Sequence, residues 1–408
     1  MKRTLLLFAL LLVLASIACA QSTPAPAAFP PLPTLYQIPT TLTPAPTGTI
    51  TLTPTLTTTL SPSPIPSITP SITPTPIVAG PFIFPDNVNP LTGLPVSDPK
   101  ILDRLPVMIK VANYPAAGRP HAGLSFADLV FEYYIGAGAN RFNALYYGQD
   151  SIKVGPVRSA RMADVQLASM YRSILGFKGA DRQTYSFMVG ELGKRAINGA
   201  PATCPGLCDD GRKIVTSFWG DSGQLSQYAS KLGINNTRQD LGGMYFDSRP
   251  PAKGQPGTQL AVLYHRTNRG EWRYDPATGK YLRWIESLDS ESKITMYPLT
   301  DLVNGQQLAF ANVVVLYTYH ILQGETLFDL ELWHNKGGRR AVLFRDGQAF
   351  EGIWQAADED QPIRFYIPNA GEQPLPFKPG NTWMVLTGVT SAFKQPAAGQ
   401  WELYFHMP

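Results

Sequence analysis

The chain has 408 residues, a formal net charge of +4 and 44% hydrophobic residues, with 38 prolines, 35 glycines and only three cysteines. That is long enough for about two globular domains. So small an excess of charge leaves no electrostatic footprint for nucleic acid, which excludes it as a partner.

Met1 to Ala20 reads as an export leader. Lys2 and Arg3 form a charged start, and Leu5 to Leu14 is an apolar run too short to span a bilayer. Ser16-Ile17-Ala18-Cys19 resembles a bacterial lipobox, which implies lipid attachment at Cys19 and anchoring to the outer face of the cell membrane. Ala18-Cys19-Ala20 also fits an ordinary small-x-small cleavage site. Either route exports the protein and removes the two leader cations.

Residues 20–85 carry no Lys, Arg, Asp or Glu and consist mainly of Thr, Pro, Ser and Ala. Such a stretch cannot bury a core, so a disordered stalk is expected, stiffened by proline toward an extended chain. The globular part is expected from Asp86. Pro106 to Ala112 is a buried-type strand. Leu129 to Ile135 and Arg141 to Tyr147 read as a hairpin turning at Gly136-Ala137-Gly138. Val165, Ala168, Tyr171 and Leu175 then recur at helical spacing. Ser173 to Gly193 is turn-prone, and Ser226 to Leu232 is a short helix.

A boundary is expected near Gly254, within a proline-rich and glycine-rich run. Beyond it, Leu260–Tyr264, Trp272–Tyr274, Tyr281–Trp284, Val313–Tyr319, Phe328–Trp333, Arg340–Phe344, Ile363–Ile367, Thr382–Leu386 and Trp401–Phe405 read as strands. Asp275-Pro276-Ala277-Thr278-Gly279 turns a hairpin. The expected fold class is α+β: a mixed α/β N-terminal domain over residues 86–254, followed by a mainly β domain over residues 255–408. The aromatic side chains of the second part are expected in its core and in cross-strand pairs rather than on a sugar-binding platform.

The densest run of specific polar residues is Gly118 to Leu175. Gly155-Pro156 makes a stiff turn that carries Arg158, Ser159 and Arg161 into a helix N-terminus, where free N–H groups and a positive dipole end suit an anion. Arg119 and Arg141, from the preceding loop and hairpin, are expected to converge there. The structural alternative pairs these arginines with Asp128, Glu132 or Asp164. Asp128 and Glu132, four apart on a strand, share a face and offer a carboxylate pair for glycan hydrolysis. As partners for Arg141, Arg158 or Arg161 they have a simpler role. The candidate ligand-binding set is therefore Arg158, Ser159, Arg161, Arg119, Arg141, Asp128 and Glu132.

Cys204 and Cys208, in an exported chain, are expected to form a disulfide. The five histidines show no metal-ligand spacing, and there is no Walker loop, dinucleotide fingerprint or nucleophile elbow. No metal and no cofactor are expected, and binding is expected in preference to catalysis.

Asn89-Pro90-Leu91-Thr92-Gly93, Arg119-Pro120-His121-Ala122-Gly123-Leu124, Ala127 to Glu132 and Gly155-Pro156-Val157-Arg158-Ser159-Ala160-Arg161 carry a further signal, as do Trp272-Arg273-Tyr274-Asp275, Asn312 to Val315, Arg345-Asp346-Gly347 and Gly380-Asn381-Thr382-Trp383. In these segments the chain resembles the YerB-like lipoprotein family of bacteria, a domain-of-unknown-function family with N- and C-terminal parts. The resemblance implies an envelope location and brings no activity. The partners expected are thus the membrane through a lipid anchor, and an anionic or cell-wall ligand or a partner protein.

Overall fold

The computed structural model describes residues 76–288, 293–322, 328–356 and 358–407. The leader, Cys19 and most of the expected stalk lie outside the described residues. The described chain is mostly β. The strands of its two large sheets and its α-helices are, in order, β1 (Val107–Ala112), β2 (Leu129–Gly136), β3 (Ala139–Tyr146), α1 (Met162–Met170), β4 (Ile174–Phe177), α2 (Arg182–Leu192), β5 (Ala196–Asn198) and α3 (Ser222–Lys231). There follow β6 (Gln255–Pro256), β7 (Gln259–His265), β8 (Asn268–Asp275), β9 (Lys280–Leu288), β10 (Ile294–Pro298), β11 (Ala309–Phe310) and β12 (Asn312–Thr318). The last are β13 (Arg339–Arg345), β14 (Gln348–Gln355), β15 (Arg364–Tyr366), β16 (Thr382–Gly388), β17 (Ala392–Ala397) and β18 (Gln400–Tyr404). All three α-helices among the described residues fall between Met162 and Lys231, so helix is a minor component and is confined to the first part.

An eleven-stranded mixed sheet runs β6-β14-β13-β12-β16-β2-β3-β1-β4-β5, with β15 beside β14. Strands from both sides of Gly254 join in it, because β16 pairs in parallel with β2. A seven-stranded sheet runs β10-β9-β8-β7-β18-β17, with β11 beside β9. Alternation places successive residues on opposite faces of the large sheet. Phe131, Tyr133, Val314 and Leu316 pack against Val165, Leu167 and Ala168 of α1 and Met188 of α2. Val130, Phe142, Val313, Val315 and Trp383 pack against Leu260, Val262, Trp272 and Tyr281 of the second sheet. The second-part aromatics Trp272, Tyr281 and Trp383 are fully buried, as core residues.

Three expectations change. Val78 and Ala79 pair with Asp247 and Phe246, so the folded body is under way by Ile77 rather than Asp86. A two-residue strand needs no charged residue, so it does not register in a composition that lacks charge. The α1 helix stops at Tyr171, and Leu175 belongs to β4, because Arg172 turns the backbone to φ 49°. The turn-prone Ser173 to Gly193 holds both β4 and α2.

Candidate functional site

The turn before α1 is built against strand β1. Gly155 has φ 143°, and a Cβ there would lie 2.7 Å from the Val157 amide nitrogen, so no larger residue fits without strain. The next residues are sewn down on three sides. Ala112 N donates to Pro156 O at 2.8 Å, Val157 N to Phe218 O at 2.7 Å, and Arg158 N to Lys110 O at 3.0 Å. Lys178 N donates to Arg158 O and Ala160 N to Gly179 O, both at 3.0 Å. The segment thus continues the sheet alongside the C-terminal end of β1, and its arginines have fixed roots.

Arg161 caps α1, and its amide donates to Asp164 Oδ2 at 2.7 Å. Asp164 Oδ1 accepts from Lys110 Nζ and Asn143 Nδ2, each at 2.9 Å, and from the Tyr133 hydroxyl. Lys110 Nζ also donates to the Tyr133 oxygen at 2.5 Å. Lys110 and Asp164 are wholly buried. Burial pulls the Lys110 ammonium down to about 7. Asp164 opposes that shift, while Arg141 and Arg161 add to it. The Asp164 carboxylate is therefore fully engaged beneath the turn.

Arg141 rises from β3 into the same place. Its Nη1 donates to Ser159 O at 2.7 Å, and the side chain is 7% exposed. Arg158 Nη1 donates to Val215 O at 2.9 Å, and Arg161 Nη1 to Ala160 O at 3.0 Å. These are bonds to backbone carbonyls. Among the described residues, none of the three guanidinium groups lies within 4 Å of a carboxylate oxygen, and the Nε of each is buried without a partner. They crowd one another instead. Burial, then Arg161 and Arg158, bring Arg141 down to about 10, and burial with Arg161 lowers Arg158. Asp181 feels Arg161, but its carboxylate caps α2 through Thr184 N at 2.9 Å and Thr184 Oγ1 at 2.6 Å.

Arg119 is not part of this cluster. It pairs with Glu286 at 2.9 Å and lies over the Tyr114 ring. Asp128 and Glu132 are not brought together as a working carboxylate pair. Asp128 precedes β2 and accepts from Asn89 Nδ2 at 3.0 Å, Tyr147 N at 2.7 Å and Gly148 N at 2.9 Å. Glu132 is buried between the two sheets and is held by Arg283 at 3.1 Å, not by Arg141, Arg158 or Arg161. Cys204 and Cys208 are joined by a disulfide. A cleft of about 530 Å³ beside Phe350 and Trp401 is lined by none of the candidate residues. Among the described residues, no group of three or more His, Cys, Asp or Glu side chains has the geometry to hold a metal ion.

Lys110, Tyr133 and Asn143 are site residues that the sequence reading passed over. The available signal was Lys110 itself, a single charge within an otherwise apolar strand, which must find a partner when buried.

The family model for the N-terminal domain of "Protein of unknown function (DUF3048)" matches residues 91–235, and that for its C-terminal domain matches residues 260–384. The chain belongs to the DUF3048 family. The turn, Arg141, Lys110, Tyr133 and Asp164 all lie in the part matched by the DUF3048 N-terminal model. The Bacillus subtilis (strain 168) protein named "Putative lipoprotein YerB" is 29% identical over 303 residues, which cover 72% of this chain and 84% of the relative. The crystal structure of YerB from Bacillus subtilis matches with a TM-score of 0.59 and 26% identity, over 74% of this chain and 96% of that one. Among the described residues of this DUF3048 protein, no helix is long and apolar enough to cross a membrane.

Proposed function

We propose that the protein is an exported cell-envelope lipoprotein, anchored through Cys19, that holds an anionic ligand between Arg141, Arg158 and Arg161. The leader with its Ser-Ile-Ala-Cys end and the lipoprotein name of the Bacillus subtilis relative support the location. One observation carries the binding reading. Burial and then the neighbouring Arg161 lower the basicity of Arg141 and Arg158 around one turn, the Nε of all three arginines is buried without a partner, and no carboxylate among the described residues pairs with any of them. Like charges held together in a partly desolvated place repel, and a bound anion both removes the repulsion and satisfies the unused N–H groups. Ser159, whose hydroxyl makes no hydrogen bond among the described residues, adds a donor at the same turn. The fixed backbone supplies preorganisation, so little ordering is needed on binding.

The test is calorimetric titration of inorganic pyrophosphate into the protein at two ionic strengths. Saturation at one site per chain, with affinity falling as salt rises, supports the reading. Absence of any binding heat at low salt, together with no change in melting temperature, contradicts it.

A further inference from the structure

The loop beyond Arg158 gives the site a second character. Arg158 Nη1 donates to the Val215 carbonyl at 2.9 Å, which ties the cationic cluster to residues 210–217. That loop is firmly built. Asp210 N donates to Ser217 O at 2.9 Å, Ile214 N to Arg212 O at 2.8 Å, and Arg212 Nη2 to Thr216 O at 3.1 Å. Asp210 accepts from Trp219 Nε1 at 2.8 Å and pairs with Arg212 at 2.6 Å. Beside the exposed Asp210 and Arg212, the loop also offers aliphatic surface to solvent: Ile214 is 48% exposed and Val215 57%. Lys213, just before them, is exposed as well. Scattered exposed aliphatic residues need no explanation. Two adjacent β-branched ones on a braced loop, bonded directly to an arginine of an unneutralised cationic cluster, form an amphipathic surface.

We infer that the anion is a terminal phosphate carried on an aliphatic chain, a lipid phosphate monoester, with the phosphate among Arg141, Arg158 and Arg161 and the first methylenes against Ile214 and Val215. The inference rests on the anion-binding reading above. Charge and shape favour phosphate over carboxylate. Three guanidinium groups meet a dianion with three acceptor oxygens, whereas a carboxylate offers one charge and two oxygens. The aliphatic residues favour an alkyl-bearing phosphate over a free one, because covering them removes apolar surface from water.

The experiment separates the two ideas. Inorganic phosphate, methyl phosphate and hexyl phosphate are titrated, below any micelle concentration, into the full-length protein held in phosphatidylcholine nanodiscs, with empty nanodiscs as the blank. Covering as few as two of the extra methylenes gives roughly tenfold, so hexyl phosphate is expected to bind at least about ten times more tightly than methyl phosphate. In the double variant Ile214→Ser with Val215→Ser, that gain is expected to vanish, with hexyl and methyl phosphate binding alike. Equal affinities on the parent protein overturn the lipid inference and leave the anion site standing. So does a chain-length gain that survives the double variant. No binding of any of the three phosphates overturns the anion site and the lipid inference together.

Discussion

Arg283 and Glu132 meet between the two sheets, with Nη2 3.1 Å from Oε1 and both side chains removed from water. The Glu132 carboxylate also accepts Trp383 Nε1 at 2.7 Å and Asn140 Nδ2 at 2.5 Å. The Arg283 guanidinium lies over the Trp272 and Trp383 rings, 5.0 and 5.2 Å from their centroids. So a strand of the first part and a strand of the second are joined by a buried pair whose carboxylate is fully bonded, while Nε and Nη1 of Arg283 have no hydrogen-bond partner among the described residues. A carboxylate in that position has no capacity left for chemistry.

Glu132→Ala is expected to destabilise the protein by roughly 3–5 kcal/mol, because Arg283 is then buried without its counter-charge. Glu132→Leu combined with Arg283→Met removes both charges and is expected to recover at least half of that loss. Urea unfolding of the three proteins measures it. A single variant as stable as the parent would show that the pair does not hold the sheets together.

His121 is fully buried, and its Nε2 lies 2.8 Å from the Ala112 carbonyl oxygen. Burial, with Arg119 and Arg283 nearby, brings its pKa from 6.5 down to about 3. The folded state therefore prefers the neutral ring, while the unfolded chain takes up a proton below 6.5. The unfolded state binds more protons between these values, so stability rises with pH across that window and is lost as pH falls through it. One such group sets a slope of up to ~1.4 kcal/mol per pH unit. His121→Gln is expected to flatten the dependence between pH 6 and about 3. Unfolding free energies measured along that series decide the matter, and an unchanged slope would mean that other groups govern acid stability.

Replacing Cys19 with Ser is expected to move the protein from the membrane fraction to the soluble fraction. Detergent partitioning of the two forms is the measurement, and identical partitioning would rule out lipid anchoring at that residue.

Much of the fold was legible. The hairpin over Leu129–Gly136 and Ala139–Tyr146 follows from aromatic and β-branched runs around a Gly-Ala-Gly turn, and Asp275 to Lys280 turns as its proline and glycine require. What was not legible is which distant strands meet. Lys110 finds Asp164 across 54 residues and Glu132 finds Arg283 across 151, and no local pattern encodes such a register. For that reason the carboxylates of the structural alternative, Asp128, Glu132 and Asp164, bond elsewhere, although Arg141 does join Arg158 and Arg161. The β14 strand does not stand out in the sequence because Glu351 and Gly352 interrupt its apolar run. The start of the folded body lies before the expected Asp86 because the run Ile77 to Ala79 is too short to register in the sequence. Limited proteolysis is expected to yield a resistant fragment beginning near Ile77, and a fragment beginning near Asp86 would argue against the pairing of Val78 with Asp247.

The central claim is that Arg141, Arg158 and Arg161 hold an anion and are not merely part of the scaffold. Guanidinium forks bind an oxyanion in two-point fashion that an ammonium group cannot reproduce. The most direct measurement is therefore paired, a melting temperature and a pyrophosphate titration on Arg158→Lys and on Arg161→Lys. The account predicts that each variant melts within a few degrees of the parent and binds pyrophosphate at least about tenfold more weakly. Variants that lose much of their stability, from a parent that binds no pyrophosphate, would contradict it.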